Sequence, residues 1–228
     1  MESIAHESRK TAFDITKVLA CIRRAIKPYP KAMLFELAER GFGSVFHQVC
    51  ACILSVRTLD ETSLKTSLRL FERAASPKEM LLLSVDEIRD LIFDSTFAGQ
   101  KAPRLWEIAR IAQGSPGGDI ACDFESLTAL PGVGPKCAGL VLGIACGKAA
   151  IGVDIHVHRV THRWGYTKAA TPEKTLRELQ AKLPRKHWVE INELLVPFGK
   201  NICTGAAPKC STCPVLDSCE QVGVSRHR

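Results

Sequence analysis

Leu130-Pro131-Gly132-Val133-Gly134-Pro135-Lys136 is the stretch that decides how this chain folds. A short apolar segment, Phe124 to Leu130, leads into it with helical spacing. Ala138, Leu140, Val141, Leu142 and Ile144 lead away with the same period toward Gly147. Only a tight proline–glycine turn lies between, so the spelling is that of a helix-hairpin-helix. Pro135 suits the first position of the second helix. Gly132 and Gly134 are expected to take backbone angles closed to other residues. N–H groups at such a helix start face outward and suit a phosphate, a contact that positions DNA without reading its sequence. A plain tight turn between two helices is spelled the same way. Lys136 falls in the first turn of the second helix. The helix dipole disfavours a cation there, and the partial burial expected of it adds to that effect. A lysine relieved of its proton is a nucleophile able to form a Schiff base. The competing reading is a lysine that simply contacts phosphate.

Outward from the hairpin, nearly every segment keeps the helical period. Val18, Leu19, Ile22 and Ile26 mark a first amphipathic helix. Ser44 suits the cap of a second, mostly apolar helix through Val45, Phe46, Val49, Cys50, Ile53 and Leu54, which should be central. Leu64, Leu68 and Phe71 form a third stripe. Ser84 with Glu87 spells a capping box before Ile88, Leu91 and Ile92. Leu105, Ile108 and Ala112 continue the pattern up to the loop at Gly114–Gly118. Thr171-Pro172 reads as a cap followed by a first-turn proline. No alternating β-branched run is bounded by turn signals, and there is no internal repeat. The expected class is all-α.

Downstream of the hairpin, Val153-Asp154-Ile155-His156-Val157-His158-Arg159-Val160 places a carboxylate just before a helix. Asp154 suits the cap of that helix. It also suits a proton acceptor for Lys136, or a stabiliser of a cationic sugar. His156 and His158 are two apart and diverge on a helix, and nothing supplies a third ligand, so they make a poor metal site.

Near the C-terminus, Cys203, Cys210, Cys213 and Cys219 follow the spacing C-x6-C-x2-C-x5-C, with Pro208 and Pro214 bending the chain around the middle pair. Four thiolates in so short a stretch suit a [4Fe–4S] cluster, one cysteine per iron. A four-cysteine zinc site, which usually pairs two short steps, and two disulfides are the alternatives. The remaining cysteines, Cys21, Cys50, Cys52, Cys122, Cys137 and Cys146, lie in apolar segments and read as small buried hydrophobes.

The chain has 228 residues, 46% of them hydrophobic, enough for one large domain or two small ones. Its net charge of +7 suits a polyanionic partner such as nucleic acid. Met1 to Thr11 is polar, without the apolar core of a secretory signal, and no run approaches the ~18 apolar residues of a membrane span. The expectation is a cytoplasmic protein with no membrane contact, in a compartment where clustered thiols bind metal.

Three of these segments, with Ile53-Leu54-Ser55-Val56-Arg57-Thr58-Leu59-Asp60, resemble the endonuclease III family of DNA glycosylases in order and separation over roughly residues 30–222. The resemblance implies two helical domains. A six-helix domain at 38–148 carries the helix-hairpin-helix. A discontinuous domain, 1–37 with 149–228, carries the [4Fe–4S] cluster on the four cysteines. It implies a monomeric, nucleoid-associated base-excision repair enzyme that acts on duplex DNA bearing damaged bases or abasic sites. A base inside a duplex must be flipped out for such chemistry. By the family pattern Lys136 attacks the sugar C1′ of an oxidised pyrimidine, the base departs, and β-elimination cuts 3′ to the lesion. Asp154 matches the catalytic aspartate. Arg57, Phe97, Gly132, Val133, Gly134, His156, Lys200 and Lys209 fall where DNA contacts are expected.

The match is not uniform. Arg57 replaces the glutamine that fills the gap left by the flipped base. Thr96-Phe97-Ala98 replaces Gly-Leu-Tyr, with Phe97 at the inserted leucine, and Pro135 replaces a commonly basic residue. A phenyl ring can still wedge between base steps. Two other functions stay open: a non-catalytic or weakly active DNA-binding paralogue, and a glycosylase for another base such as uracil.

Overall fold

A computed structural model describes residues 12–228, so the polar start Met1–Thr11 lies outside the described residues. Among those described there are twelve α-helices, a few single 3₁₀ turns and no strand. None of the helices is long and apolar enough to cross a membrane. By their internal contacts the residues form two compact units, one joining the N-terminal segment through Pro30 to Val153–Arg228, the other being Lys31–Gly152. These limits, 30/31 and 152/153, differ from the 37/38 and 148/149 that the resemblance implies.

The N-terminal segment contributes α1 (Ile15–Ala25), capped by Asp14, whose carboxylate accepts from Thr16 N and Lys17 N. The Lys31–Gly152 unit follows with α2 (Met33–Glu39), α3 (Val45–Ser55), α4 (Asp60–Arg73), α5 (Pro77–Met80), α6 (Val85–Leu91), α7 (Ala98–Gly114), α8 (Phe124–Thr128) and α9 (Pro135–Ile144). Two of these eight, α5 and α8, are single turns, which leaves six longer helices. The chain ends with α10 (Ile155–Arg163), α11 (Pro172–Lys182) and α12 (Glu190–Asn201).

The caps expected from sequence are made. Ser44 accepts from His47 N, Ser84 and Glu87 close a capping box, and Thr171 accepts from Lys174 N. Each bond satisfies a helix-start N–H that has no intrahelical partner.

Helix α3 is the centre of its unit: Val45 through Leu54 is buried apart from His47. Gln48 on α3 is fully buried, and its amide donates to Leu34 O and Phe42 O. That ties α2 to α3 and explains why residues 33–37 pack with this unit. The stripe expected on α4 is rotated. Leu64 and Leu68 are only partly buried, while Ser63, Thr66 and Ser67 join Leu70 and Phe71 inside. Small hydroxyl side chains let two helix backbones approach where leucines would hold them apart. In the other unit Val18, Leu19 and Ile22 of α1 are buried, as are Val157 and Val160 of α10 and Leu195 and Phe198 of α12.

Candidate active site and cysteine loop

The hairpin forms as its spelling predicts, with two corrections. Asp123 caps α8 by accepting from Ser126 N at 2.8 Å, and α8 stops at Thr128, short of Leu130. Gly132 sits at φ +82°, and a Cβ there would press on Arg104 Nη1 and Ile53 Cδ1 at 3.3 Å, so the turn requires glycine here. Gly134 does not: its φ of −102° is open to any residue, and nothing lies within 4 Å of its absent Cβ. The turn is also less bare than expected, because Val133 N–H already donates to Leu130 O and the Val133 side chain is buried.

Lys136 is the second residue of α9, as read, but it is exposed rather than partly buried. The buried face of α9 runs through Cys137, Ala138, Leu140 and Val141, and Lys136 falls off that face. A long side chain ending in an amine therefore projects from the hairpin into solvent.

Helix α9 is pressed against the segment that leaves the unit. A Cβ on Gly139 would lie 2.4 Å from Ile151 O and 2.9 Å from Ile151 C. One on Gly152 would lie 2.4 Å from Leu140 Cγ and 3.0 Å from Lys136 O. The helix that carries Lys136 and the residues that lead to Asp154 thus meet backbone to backbone. Gly139→Ala should destabilise the protein by about 1–3 kcal/mol, as overpacking does, read as a lowered urea midpoint. An unchanged midpoint would show that the Ile151 backbone gives way freely.

Asp154 caps α10 by accepting from Val157 N at 2.8 Å. Its capping role is present in the structure. The two histidines that follow diverge as expected. His158 Nδ1 pairs with Thr175 Oγ1 at 2.8 Å, while His156 Nδ1 lies 3.1 Å from an Arg159 guanidinium nitrogen, beside Gly199.

Arg57 and Phe97 are both exposed and both hold left-handed backbone, at φ 54° and 63°. For non-glycine residues that conformation costs about 1–3 kcal/mol each and persists where the surroundings impose it. Phe97 is the residue before α7, and half of its surface is exposed.

None of the four C-terminal cysteines is in a disulfide, and all line one cavity with Trp164, Phe198, Ile202 and Lys209. No three His, Cys, Asp or Glu side chains among the described residues are drawn close enough to hold a single metal ion. Burial pushes the Cys213 thiol up to about 12; a backbone hydrogen bond at Val215 opposes this, and Cys203, Cys219 and Cys210 reinforce it. Four sulfurs around one cavity are a donor set that suits a soft metal centre.

Two arginines not singled out in the sequence hold the loop's entry. Arg163, 8% exposed, donates to Thr204 O and Gly205 O at 2.6 Å, and Arg159 donates to Gly199 O at 2.9 Å and to Cys203 O. Their signal was faint: arginines on the face that α10 turns toward α12. Lys209 is half-buried at the cavity, and Lys200, at the end of α12, is half-buried as well.

The scattered cysteines are not all isolated hydrophobes. Cys122 and Cys146, at either end of the hairpin, form a disulfide with their Cα atoms 5.9 Å apart. Cys52 on α3 is likewise paired with Cys137 on α9, with Cα atoms 6.1 Å apart. Packing of α3 and α8 against α9 brings these positions together, which their separate apolar contexts do not reveal. Cys21 is only partly buried, and Cys50 alone fits the expectation fully.

Comparison with known proteins agrees with this architecture. A family model described as HhH-GPD superfamily base excision DNA repair protein matches residues 50–185. Endonuclease III of Thermotoga maritima is 40% identical over 175 residues, 77% of this chain and 82% of that one. The chain belongs to the endonuclease III family. Two solved structures extend the likeness to endonuclease III bound to DNA. A non-covalent endonuclease III–DNA complex matches at a TM-score of 0.78 and 26% identity, covering 92% of this chain and 96% of its own. A trapped endonuclease III–DNA covalent intermediate matches at 0.76 and 25%, covering 92% and 97%.

Proposed function

We propose that this endonuclease III family member is a bifunctional DNA glycosylase and abasic-site lyase that removes oxidised pyrimidines from duplex DNA. The observation that carries the reading is Lys136, a solvent-reaching amine placed directly after the hairpin on the first turn of α9. Its nitrogen attacks the sugar C1′ as the bond to the damaged base breaks, and the base leaves with a proton. The nitrogen then gives up a proton as the C1′–O4′ bond opens, O4′ leaving as a hydroxyl, and the resulting imine draws electrons from C2′. Loss of a C2′ proton then expels the 3′ phosphate and cuts the strand. Asp154 offers a carboxylate to a developing positive charge or to a proton in transit. Arg57 and Phe97 are the residues assigned to the opened helix, and Phe97 is half exposed as a wedge requires. Gly132 and Gly134 present backbone to phosphate on either side of Val133, whose own N–H is turned to Leu130 O, and His156, Lys200 and Lys209 add positive or polar surface. The protein acts as a monomer in the cytoplasm, where nucleoid DNA is its partner.

The test is borohydride reduction during turnover on a panel of duplexes carrying oxidised pyrimidines, uracil or an abasic site. A covalent adduct with the oxidised-pyrimidine duplexes supports the reading. An adduct with uracil alone moves the substrate, and binding without any adduct leaves a non-catalytic paralogue.

Cys203, Cys210, Cys213 and Cys219 are proposed to hold a [4Fe–4S] cluster, each cysteine on its own iron. A shared cavity lined by four cysteine sulfurs outside any disulfide supports this. Such a cluster supplies four iron–thiolate bonds that brace the 203–219 loop. Protein purified without oxygen should be brown, absorb near ~400 nm and carry roughly four irons per chain. Cys213→Ser should lose most of that iron. A colourless preparation with one zinc per chain would overturn the assignment.

A further inference from the structure

Lys101, one turn into α7, is 3% exposed, yet its ammonium has no carboxylate partner among its hydrogen bonds. Nζ donates to Leu54 O and Val56 O at 2.8 Å, to Ser95 Oγ at 2.9 Å and to Thr58 Oγ1 at 3.2 Å. Leu54 lies in the last turn of α3, Val56 and Thr58 belong to the connection that follows it and carries Arg57, and Ser95 belongs to the one that carries Phe97. Two further bonds tie the same connections together: Thr96 N donates to Thr58 Oγ1 at 3.1 Å and Ser95 Oγ to Leu54 O at 3.1 Å. Burial, with Arg104 second, pushes Lys101 down to about 8. A buried cation is costly unless fully hydrogen-bonded, and a methionine would fill the same space without that cost. What the ammonium adds is a single point joined to both left-handed turns.

We propose that Lys101 is a positioning residue that locks the Arg57 and Phe97 turns to each other, so that both side chains enter the duplex together. This rests on the reading of Phe97 and Arg57 as the groups that occupy the opened helix. Without the ammonium Leu54 O is left with the bond from Ser95 Oγ and Val56 O with that from Thr58 Oγ1, and each turn is freer to relax from its strained conformation independently.

The experiment places 2-aminopurine opposite a tetrahydrofuran abasic analogue in a duplex and reads its fluorescence on binding. Wild-type protein, Phe97→Ala, Lys101→Met and the core control Ile108→Ala are compared. Wild type should change the signal, and Phe97→Ala and Lys101→Met should both lose the change. In single turnover Lys101→Met should slow release of a paired damaged base by about 10²-fold, the scale of a misplaced contact, while cutting at a preformed abasic site falls less than about threefold. Ile108→Ala, which only loosens the core, should not separate the two substrates. Thr58→Val, which removes one acceptor and leaves Lys101 in place, should show the same selective loss in smaller degree, so the idea stays testable if Lys101→Met does not fold. Equal losses on both substrates, or a retained signal in Lys101→Met where Phe97→Ala has lost it, overturns the proposal and leaves the wedge reading standing. A retained signal in Phe97→Ala refutes the wedge reading, and the proposal with it.

Discussion

Lys136→Gln should abolish the borohydride-fixed adduct and strand cutting at abasic sites, while duplex binding stays within several-fold. The first half follows from chemistry: a carboxamide nitrogen cannot form the imine, and among the proposed site residues only Lys136 places an amine on the hairpin helix. The second half follows from electrostatics. One neutralised charge removes about one counterion's worth of salt-dependent affinity. Folding should be unaffected, because Lys136 is exposed and lies off the buried face of α9, and surface changes of this kind usually fall within about 0.5 kcal/mol. Glutamine also keeps most of the side chain's length, so loss of activity cannot be assigned to lost packing. An adduct that persists in Lys136→Gln would place the nucleophile elsewhere and dismantle the proposed mechanism. Lost binding with lost activity would return Lys136 to the role of a phosphate contact.

Why so much of this molecule is readable from its sequence, and where reading stops, is a matter of range. The caps at Ser44, Ser84, Asp154 and Thr171 are local: each side chain bonds a backbone N–H three residues on, so spacing alone locates them. The hairpin is local for the same reason. Gly132 is required by its own φ, and the positions of Pro135 and Lys136 follow from where α9 must start. The cysteine loop is legible because its four thiols lie within one short stretch. What spacing does not carry is what stands opposite. Nothing in Ser63, Thr66 and Ser67 announces a buried face; that depends on how closely α4 is held to α3. Gly139 and Gly152 look like ordinary small residues until the backbone of one is seen against the backbone of the other. Lys101 shows the limit best. In sequence it is a lysine on a helix, by default a solvated one, and only the convergence of two connections some forty residues apart turns it into a buried strut. The motifs were visible because they are local; the packing around them is tertiary and was not.

Asp154→Asn should slow base release by roughly 10²–10⁴, the range of a positioned acid–base group, with almost no loss of fold. The cap and the proposed catalytic role of this residue can be separated because they use different properties. The cap needs an acceptor oxygen for Val157 N, 2.8 Å away, and asparagine caps about as well as aspartate. Stabilising a cationic sugar or taking a proton needs the negative charge, which asparagine lacks. Asp154→Ala removes both, so it should match the asparagine variant in activity and in addition lose about 0.5–2 kcal/mol of stability from the missing cap. Measuring unfolding and single-turnover base release on both variants gives four numbers and two distinct patterns. If asparagine is fully active and only alanine is impaired, in proportion to its lost stability, Asp154 is a cap and nothing more, and the carboxylate that serves the reaction must be sought on another residue.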